Sequence, residues 1–195
     1  MNNLIPLLLF ALSTTFTPGP NNLMIMNSGM NFGIKKSLPH YLGICLGFPA
    51  MVLIVALGLG VIFMKYAWIK HALKIIGSLY MLYLAWQILR SNKANMDKTK
   101  RPLSFIQAVL FQWVNPKAWL MAIGTISIFT IANTSINNAI IISLVYFLMC
   151  IPCIGAWLLF GKFLQHILRT PNQRIVFNIL MALALVASIG MIIFD

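Results

Sequence analysis

The sequence TPGPNN, residues 17–22, interrupts an apolar run that extends from Leu4 to Met30. Each proline lacks the N–H that an α-helix needs, and its ring clashes with the carbonyl group four residues earlier. The helix therefore cannot continue through this sequence, and the run is predicted to form two half-helices. What the break does for the protein depends on the solvent around it.

The composition of the whole chain indicates that this solvent is lipid. Of the 195 residues, 61% are hydrophobic and 8% are charged, whereas charged residues make up about a quarter of an ordinary soluble chain. We therefore expect an all-α integral membrane protein that lies in the lipid bilayer. Irregular backbone at membrane depth is tolerated only where it lines a protein-walled or water-filled cavity, so the break predicts a cavity.

Long apolar runs predict six transmembrane helices, because each run is close to the roughly 20 residues that a span requires. The only long polar stretch, residues 90–102, divides the chain into two halves of three helices. An odd number of spans per half inverts the second half relative to the first. We expect a single membrane domain, 1–195, built from repeat one (1–89), a cytoplasmic loop (90–102) and repeat two (103–195). The predicted helices are Leu4–Met30, Tyr41–Met64, Trp68–Leu89, Phe105–Ile131, Ile136–Phe160 and Ile175–Phe194.

The formal net charge of +12 could indicate a nucleic-acid partner, but the positions of the cations argue against one. Most of the 14 Lys and Arg residues fall in the predicted loops 31–38, 90–102 and 161–174. Six spans place these loops on one side of the membrane, and retained Lys and Arg mark the cytoplasmic side. We expect a multi-pass membrane protein with both termini on the side away from the cytoplasm and no nucleic-acid partner. The sequence leaves a homodimer open.

A second break, Asn115-Pro116-Lys117, lies about 11 residues into the fourth apolar run and so near the middle of the membrane. Broken helices in corresponding positions of two inverted halves are the best sequence indication of a transporter's substrate site. An intramembrane lysine is costly and usually faces a site or a partner. The two breaks together predict a secondary transporter, not an enzyme, with its site at these residues.

A solute that carries a carboxylate or an ammonium group needs protein groups at the site to replace water. We expect the half-helix N-terminus at Asn21 and Asn22 to hold a carboxylate, aided by Lys117, because free N–H groups and the helix dipole favour an anion there. An ammonium group would go to carbonyl groups that the prolines free and to the Asn amides. The only acids, Asp97 and Asp195, lie outside the spans, so small neutral substrates are predicted.

The energy source is left open by the sequence. Proton relays in membranes usually use Asp, Glu or His, so His40 and Lys117 are the candidates for proton coupling. No cofactor is expected, and three scattered His residues predict no metal site.

Two alternatives from other classes stay open. Cys150-Ile-Pro-Cys153 is a CxxC pair, which can form a thiol redox couple, so a membrane thiol-redox carrier is one alternative. A passive small-solute channel is the other.

Three motifs together resemble the LysE/RhtB family of amino-acid exporters: TPGPNN (17–22), GSLYMLYLAWQ (77–87) and NPKA (115–118). Within that family, PLSF (102–105) and FQWVN (111–115) are similar to the cysteine and O-acetylserine exporter branch. The resemblance implies efflux of small amino acids such as cysteine, O-acetylserine, homoserine or threonine, each of which carries both a carboxylate and an ammonium group. It also implies that the membrane is the bacterial inner membrane, so that both termini would be periplasmic. The expected substrate-binding residues are Thr17, Pro18, Gly19, Pro20, Asn21, Asn22, Asn115, Pro116 and Lys117.

Overall fold

The structure is a computed structural model that describes residues 4–60, 65–90, 101–129, 135–168 and 170–193. Every regular element in these ranges is a helix, which confirms the predicted all-α class for this part of the chain. The helices are α1 (Leu4–Phe16), α2 (Pro20–Ile54) with a π-helical turn after it (Val55–Leu59), α3 (Ala67–Arg90), α4 (Phe105–Val114), α5 (Pro116–Phe129), α6 (Ile136–Ile167) and α7 (Pro171–Ile193).

Both predicted helix breaks are present. The first break, residues 17–19, separates α1 from α2, and the second break, Asn115, separates α4 from α5. Pro20 and Pro116 are each the first residue of the following helix, a position that proline favours because its missing N–H would have no partner there. Proline thus ends one half-helix and begins the next at both places.

Within the described residues, two stretches are long and apolar enough to cross a membrane by length and composition, Pro20–Leu59 and Ile136–Ile167. Shorter apolar helices include α1, α4 and α5. A helix of 14 residues is about 21 Å long, against a hydrocarbon core of about 30 Å. The helices α1, α4 and α5, which have 13, 10 and 14 residues, are therefore each too short to span alone.

The outer surface of the described helices is strongly apolar. Ile5, Trp68, Ile106 and Ile136 are each about two-thirds exposed, and many other large apolar side chains are exposed around them. A soluble protein rarely exposes apolar patches of this extent. The surface suits contact with lipid acyl chains.

The predicted loop at residues 31–38 is wrong in form, because α2 runs through it as helix except at Gly33 (φ 75°, ψ 176°). Ser28 Oγ and His40 Nδ1 are 2.9 Å apart, whereas twelve residues of straight helix would separate them by about 18 Å. The chain therefore reverses at Gly33, which reaches a positive φ at no steric cost. This hairpin divides α2 into a first leg (20–32) and a second leg (34–54).

The predicted loop at residues 161–174 is also mostly helical, since α6 extends to Ile167 and α7 begins at Pro171. Helical backbone satisfies its own hydrogen bonds in water as well as in lipid, so a helix need not stop where its apolar run stops. Of the predicted cytoplasmic loop 90–102, residues 91–100 lie outside the described residues, as do Asp97, Asp195 and the predicted helix ends at Met64, Ile131 and Phe194.

Close helix packing brings the two breaks together. The first leg of α2 lies against α6, where a Cβ atom on Gly161 would collide with the Met26 carbonyl oxygen. The second leg lies against α4, where a Cβ atom on Gly43 would be 2.6 Å from Ala108 Cβ. Small residues allow such approach between membrane helices. Asn21, in the first turn of α2, also donates a hydrogen bond to Gln112, near the end of α4, at 2.8 Å, so the two breaks are neighbours.

Candidate functional site

The two breaks lie beside one cavity of about 330 Å³, a volume that includes its open mouth. Among the residues predicted for the site, those that line the cavity are Gly19, Asn21, Asn22, Asn115 and Lys117. The remaining wall comes from α1, α5, α6 and the second leg of α2.

The other four predicted residues are part of the two breaks but do not line the cavity. Thr17 and Pro18 point their carbonyl oxygens at Lys117. Pro20 and Pro116 begin α2 and α5 and so set where the next helix starts.

Side chains satisfy the carbonyl groups that the first break frees. Asn22 Nδ2 donates to Thr15 O and to Thr17 O, both at 2.9 Å. Trp157 Nε1 donates to Phe16 O at 3.1 Å. The end of α1 therefore has the partners that backbone at membrane depth requires.

Lys117 connects the second break to the first. Its ammonium group donates to Thr17 O at 2.5 Å and to Pro18 O at 3.3 Å, next to the negative end of the α1 dipole. The sequence hypothesis gave these carbonyl groups to the substrate's ammonium group. In the structure the ammonium group that contacts them is that of Lys117 itself.

Two helix N-termini open beside the same cavity. In α2 the Leu23 N–H donates to Gly19 O at 2.9 Å, so the N–H groups of Asn21 and Asn22 belong to the turn that lacks acceptors within its own helix. In α5 the Asn115 side chain caps the helix, because its Oδ1 accepts from the Lys117 N–H at 3.1 Å. An anion in the cavity would meet the positive ends of two helices.

Gly19 lies directly against the Lys117 side chain. A Cβ atom built on it would be 2.6 Å from Lys117 Cδ and 3.0 Å from Lys117 Nζ. The φ of Gly19 is −174°, an extended conformation that any residue adopts. The backbone conformation would therefore accept another residue, but its side chain would displace that of Lys117.

Gln112 is a residue that the sequence hypothesis missed. Its side chain exchanges two hydrogen bonds with that of Asn21, from Asn21 Nδ2 to Gln112 Oε1 at 2.8 Å and from Gln112 Nε2 to Asn21 Oδ1 at 3.2 Å. Gln112 is fully buried, and the pair orients Asn21 across the two halves of the chain. A polar side chain inside an apolar segment was the available signal.

A cluster of hydroxyl groups near the cavity was also missed. Tyr146 OH lies 2.6 Å from Thr125 Oγ1 and 3.5 Å from Thr14 Oγ1. These residues come from α6, α5 and α1, so the cluster connects three helices by polar contacts. Its members are far apart in the sequence, which gave no signal that they meet.

His40 does not line the cavity. It is buried, its Nδ1 lies 2.9 Å from Ser28 Oγ, and its Nε2 has no hydrogen-bond partner among the described residues. It lies one helical turn before Ile44, which does line the cavity.

Cys150 and Cys153 are both free and buried. Cys150 lines the cavity, whereas the Cys153 thiol lies 4.0 Å from Leu12 O. Within the described residues, no three His, Cys, Asp or Glu side chains come together in a way that could hold a metal ion.

Comparison with known proteins gives matches over nearly the whole chain. The model of the LysE type translocator family matches residues 12–194. The cysteine/O-acetylserine efflux protein of Salmonella typhimurium is 32% identical over 182 residues, which cover 91% of this chain and 90% of that relative. The cysteine/O-acetylserine efflux protein of Escherichia coli K12 is 29% identical over the same share of both chains. No solved structure matches. The matched family region includes both breaks and the cavity between them.

Proposed function

This chain belongs to the LysE type translocator family, and we propose that it exports small neutral amino acids or their derivatives from the bacterial cytoplasm. The proposed substrates include cysteine, O-acetylserine, homoserine and threonine. The observation that carries the proposal is a cavity lined by Lys117 and by residues at two helix N-termini, with Lys117 hydrogen-bonded to carbonyl groups of the first break. The printed names of the relatives, cysteine/O-acetylserine efflux protein, support the same substrate class.

We propose that Lys117 changes its hydrogen-bond partners when the substrate binds, from the Thr17 and Pro18 carbonyl oxygens to the substrate carboxylate. The substrate carboxylate approaches the N–H groups of Asn21 and Asn22, and Lys117 turns towards it. The substrate ammonium group then takes the Thr17 and Pro18 carbonyl oxygens that Lys117 has left. Charged hydrogen bonds are the strongest available contacts, and this exchange leaves none of the charged groups without a partner.

The charge count favours neutral side chains on the substrate. The chain contains two acidic residues in total, and neither lies in a predicted span. A second substrate cation inside the membrane would therefore find no carboxylate to balance it, at a high cost in free energy.

The proposed architecture is six spans in two inverted repeats, 1–89 and 103–195. It is supported by the shared form of the two breaks, each of which puts a proline first in the second half-helix. The proposed orientation places the Gly33 hairpin, with Lys35 and Lys36 beside it, in the cytoplasm and both termini outside it. A homodimer is compatible with this arrangement.

Export is proposed to be coupled to protons through His40 or Lys117. His40 offers a buried ring nitrogen without a partner among the described residues, one turn from the cavity. The test is to collapse the pH gradient across membrane vesicles that transport the substrate. An unchanged transport rate would rule this coupling out.

The test of the proposed function is the amino-acid profile of cells that overproduce the full chain. We expect the proposed substrates to accumulate in the medium and to fall inside the cells. Lys117→Ala should reduce this export at least about tenfold, because it removes a charged hydrogen-bonding group. Lys36→Ala, which changes an exposed lysine that does not line the cavity, is the matched control. Equal export by wild type and Lys117→Ala, at equal membrane abundance, would remove Lys117 from the site.

A further inference from the structure

Thr15 has a buried hydroxyl group for which the described protein atoms supply no partner. The residue lies near the end of α1, is 5% exposed, and lines the cavity. A buried hydroxyl group that has lost its hydrogen bonds to water is costly unless something replaces them. Its position in the cavity wall indicates that the replacement comes from what the cavity holds.

The neighbouring hydroxyl groups in the same helix region are all bonded to backbone. Ser13 Oγ donates to Phe10 O at 3.0 Å, Thr14 Oγ1 to Phe10 O at 2.7 Å, and Thr17 Oγ1 to Ser13 O at 2.5 Å. Each uses a carbonyl group three or four residues earlier, as Ser and Thr commonly do in helices. Thr15 is the exception, so its free hydroxyl group is a local feature and not a property of α1.

The distance from Thr15 to the proposed charge-binding region is short. The Thr15 carbonyl oxygen accepts from Asn22 Nδ2 at 2.9 Å, and Asn22 lies in the first turn of α2. A ligand whose carboxylate meets that turn would need only a short side chain to reach the wall where Thr15 lies. The surrounding wall is mainly apolar, with Phe48 and Ile154 among its residues.

We infer that Thr15 is a specificity-determining residue whose hydroxyl group hydrogen-bonds the oxygen or sulfur atom of the substrate side chain. This inference rests on the proposed export function and narrows its substrate class. Amino acids with a hydroxyl, thiol or ester group near Cβ or Cγ satisfy Thr15, whereas aliphatic amino acids of the same shape leave it without a partner.

The physical basis is the free-energy cost of leaving the Thr15 hydroxyl group without a hydrogen-bond partner when the bound substrate has no polar side-chain atom. A site built to hydrogen-bond a substrate group rejects the analogue that lacks it more strongly than an apolar pocket rejects a missing methylene group. Removing the Thr15 hydroxyl group should therefore change the preference between substrates more than it changes transport as such.

The experiment uses inverted membrane vesicles from cells that overproduce the full chain, with labelled threonine as the transported probe. Unlabelled competitors are tested in two pairs, threonine with valine and homoserine with norvaline. Each pair replaces a hydroxyl group by a methyl group at nearly constant shape. In the wild type we expect the hydroxyl member to compete about tenfold better or more.

Thr15→Val keeps the shape of the residue and removes its hydroxyl group, so the two members of each pair should compete nearly equally. Thr15→Ser should restore the preference because it restores the hydroxyl group. Ser13→Ala is the matched control, since it removes a hydroxyl group from the same helix outside the cavity, and its preference should equal that of the wild type. Membrane abundance of each variant is measured by immunoblot.

The outcomes separate the inference from the function on which it rests. If wild-type vesicles take up no more threonine, homoserine, cysteine or O-acetylserine than vesicles without the protein, the proposed function fails and the inference fails with it. If the wild type transports threonine but shows no preference within the pairs, or if Thr15→Val keeps the full preference, only the inference is overturned.

Discussion

The helices that follow the two breaks both begin with proline, but the two breaks supply opposite chemistry to the region where they meet. The first break has three non-helical residues, and it contributes the Thr17 and Pro18 carbonyl oxygens as acceptors. The second break has one, Asn115, whose side chain caps α5 and leaves Lys117 as a donor. A site without acidic residues can therefore offer both signs of partial charge, because one break presents backbone acceptors and the other a cation.

Equivalent positions after the two prolines also differ in charge. Asn21 follows Pro20 and Lys117 follows Pro116, and both side chains line the cavity. Related breaks with identical residues would offer a ligand two equivalent orientations. The difference between Asn21 and Lys117 favours one of them.

Exchanging these two residues is the strongest test of the comparison. We expect the double variant Asn21→Lys, Lys117→Asn to lose export altogether. At the second break the Trp113 carbonyl oxygen already accepts from Trp119 Nε1 at 2.8 Å, so a lysine at position 21 would not find the acceptors that Lys117 has. The buried Gln112 would also lose its Asn21 partner. Export is measured by the amino-acid profiles described above, at matched membrane abundance. Wild-type export by the exchanged protein would mean that the two breaks are equivalent.

Gly19→Ala tests whether the contact between the breaks matters, with a smaller expected effect. The added Cβ atom would lie 2.6 Å from Lys117 Cδ and should displace the lysine from the Thr17 and Pro18 carbonyl groups. We expect export to fall by about tenfold, the scale that corresponds to the loss of one charged hydrogen bond. Gly124→Ala in α5 is the control, because a Cβ atom there meets nothing within 4 Å. Equal export by both variants would show that Lys117 can work from another position.

Cys153→Ser should have the smallest effect on export. It tests whether the protein's activity depends on the CxxC pair or on the two breaks. A thiol redox carrier needs both sulfur atoms, so this change would abolish redox activity. We expect export to stay within about twofold of the wild type, because the change replaces one buried side chain by a slightly smaller one. Loss of export at normal membrane abundance would favour the thiol-redox alternative.

Part of this architecture could be predicted because it follows from local rules. Proline at positions 18, 20 and 116 removes backbone donors wherever the chain goes, so both breaks followed from the sequence. The loop at residues 31–38 was wrong because one glycine with a positive φ can reverse a helix, and the polar residues around it form helix in water as readily as loop. The lysine and asparagine residues there indicated that the segment contacts water, but they did not indicate its backbone conformation.

The amino-acid sequence by itself determined the solvent, the helical class and the two breaks, since apolar content and proline act on backbone within a few residues. Only the tertiary structure decided that Lys117 donates to the Thr17 carbonyl group, that Gln112 pairs with Asn21, and that the Thr15 hydroxyl group is left free in the cavity wall. These contacts join residues up to a hundred positions apart. Their partners are selected by how closely helices pack, and that packing depends on the whole chain.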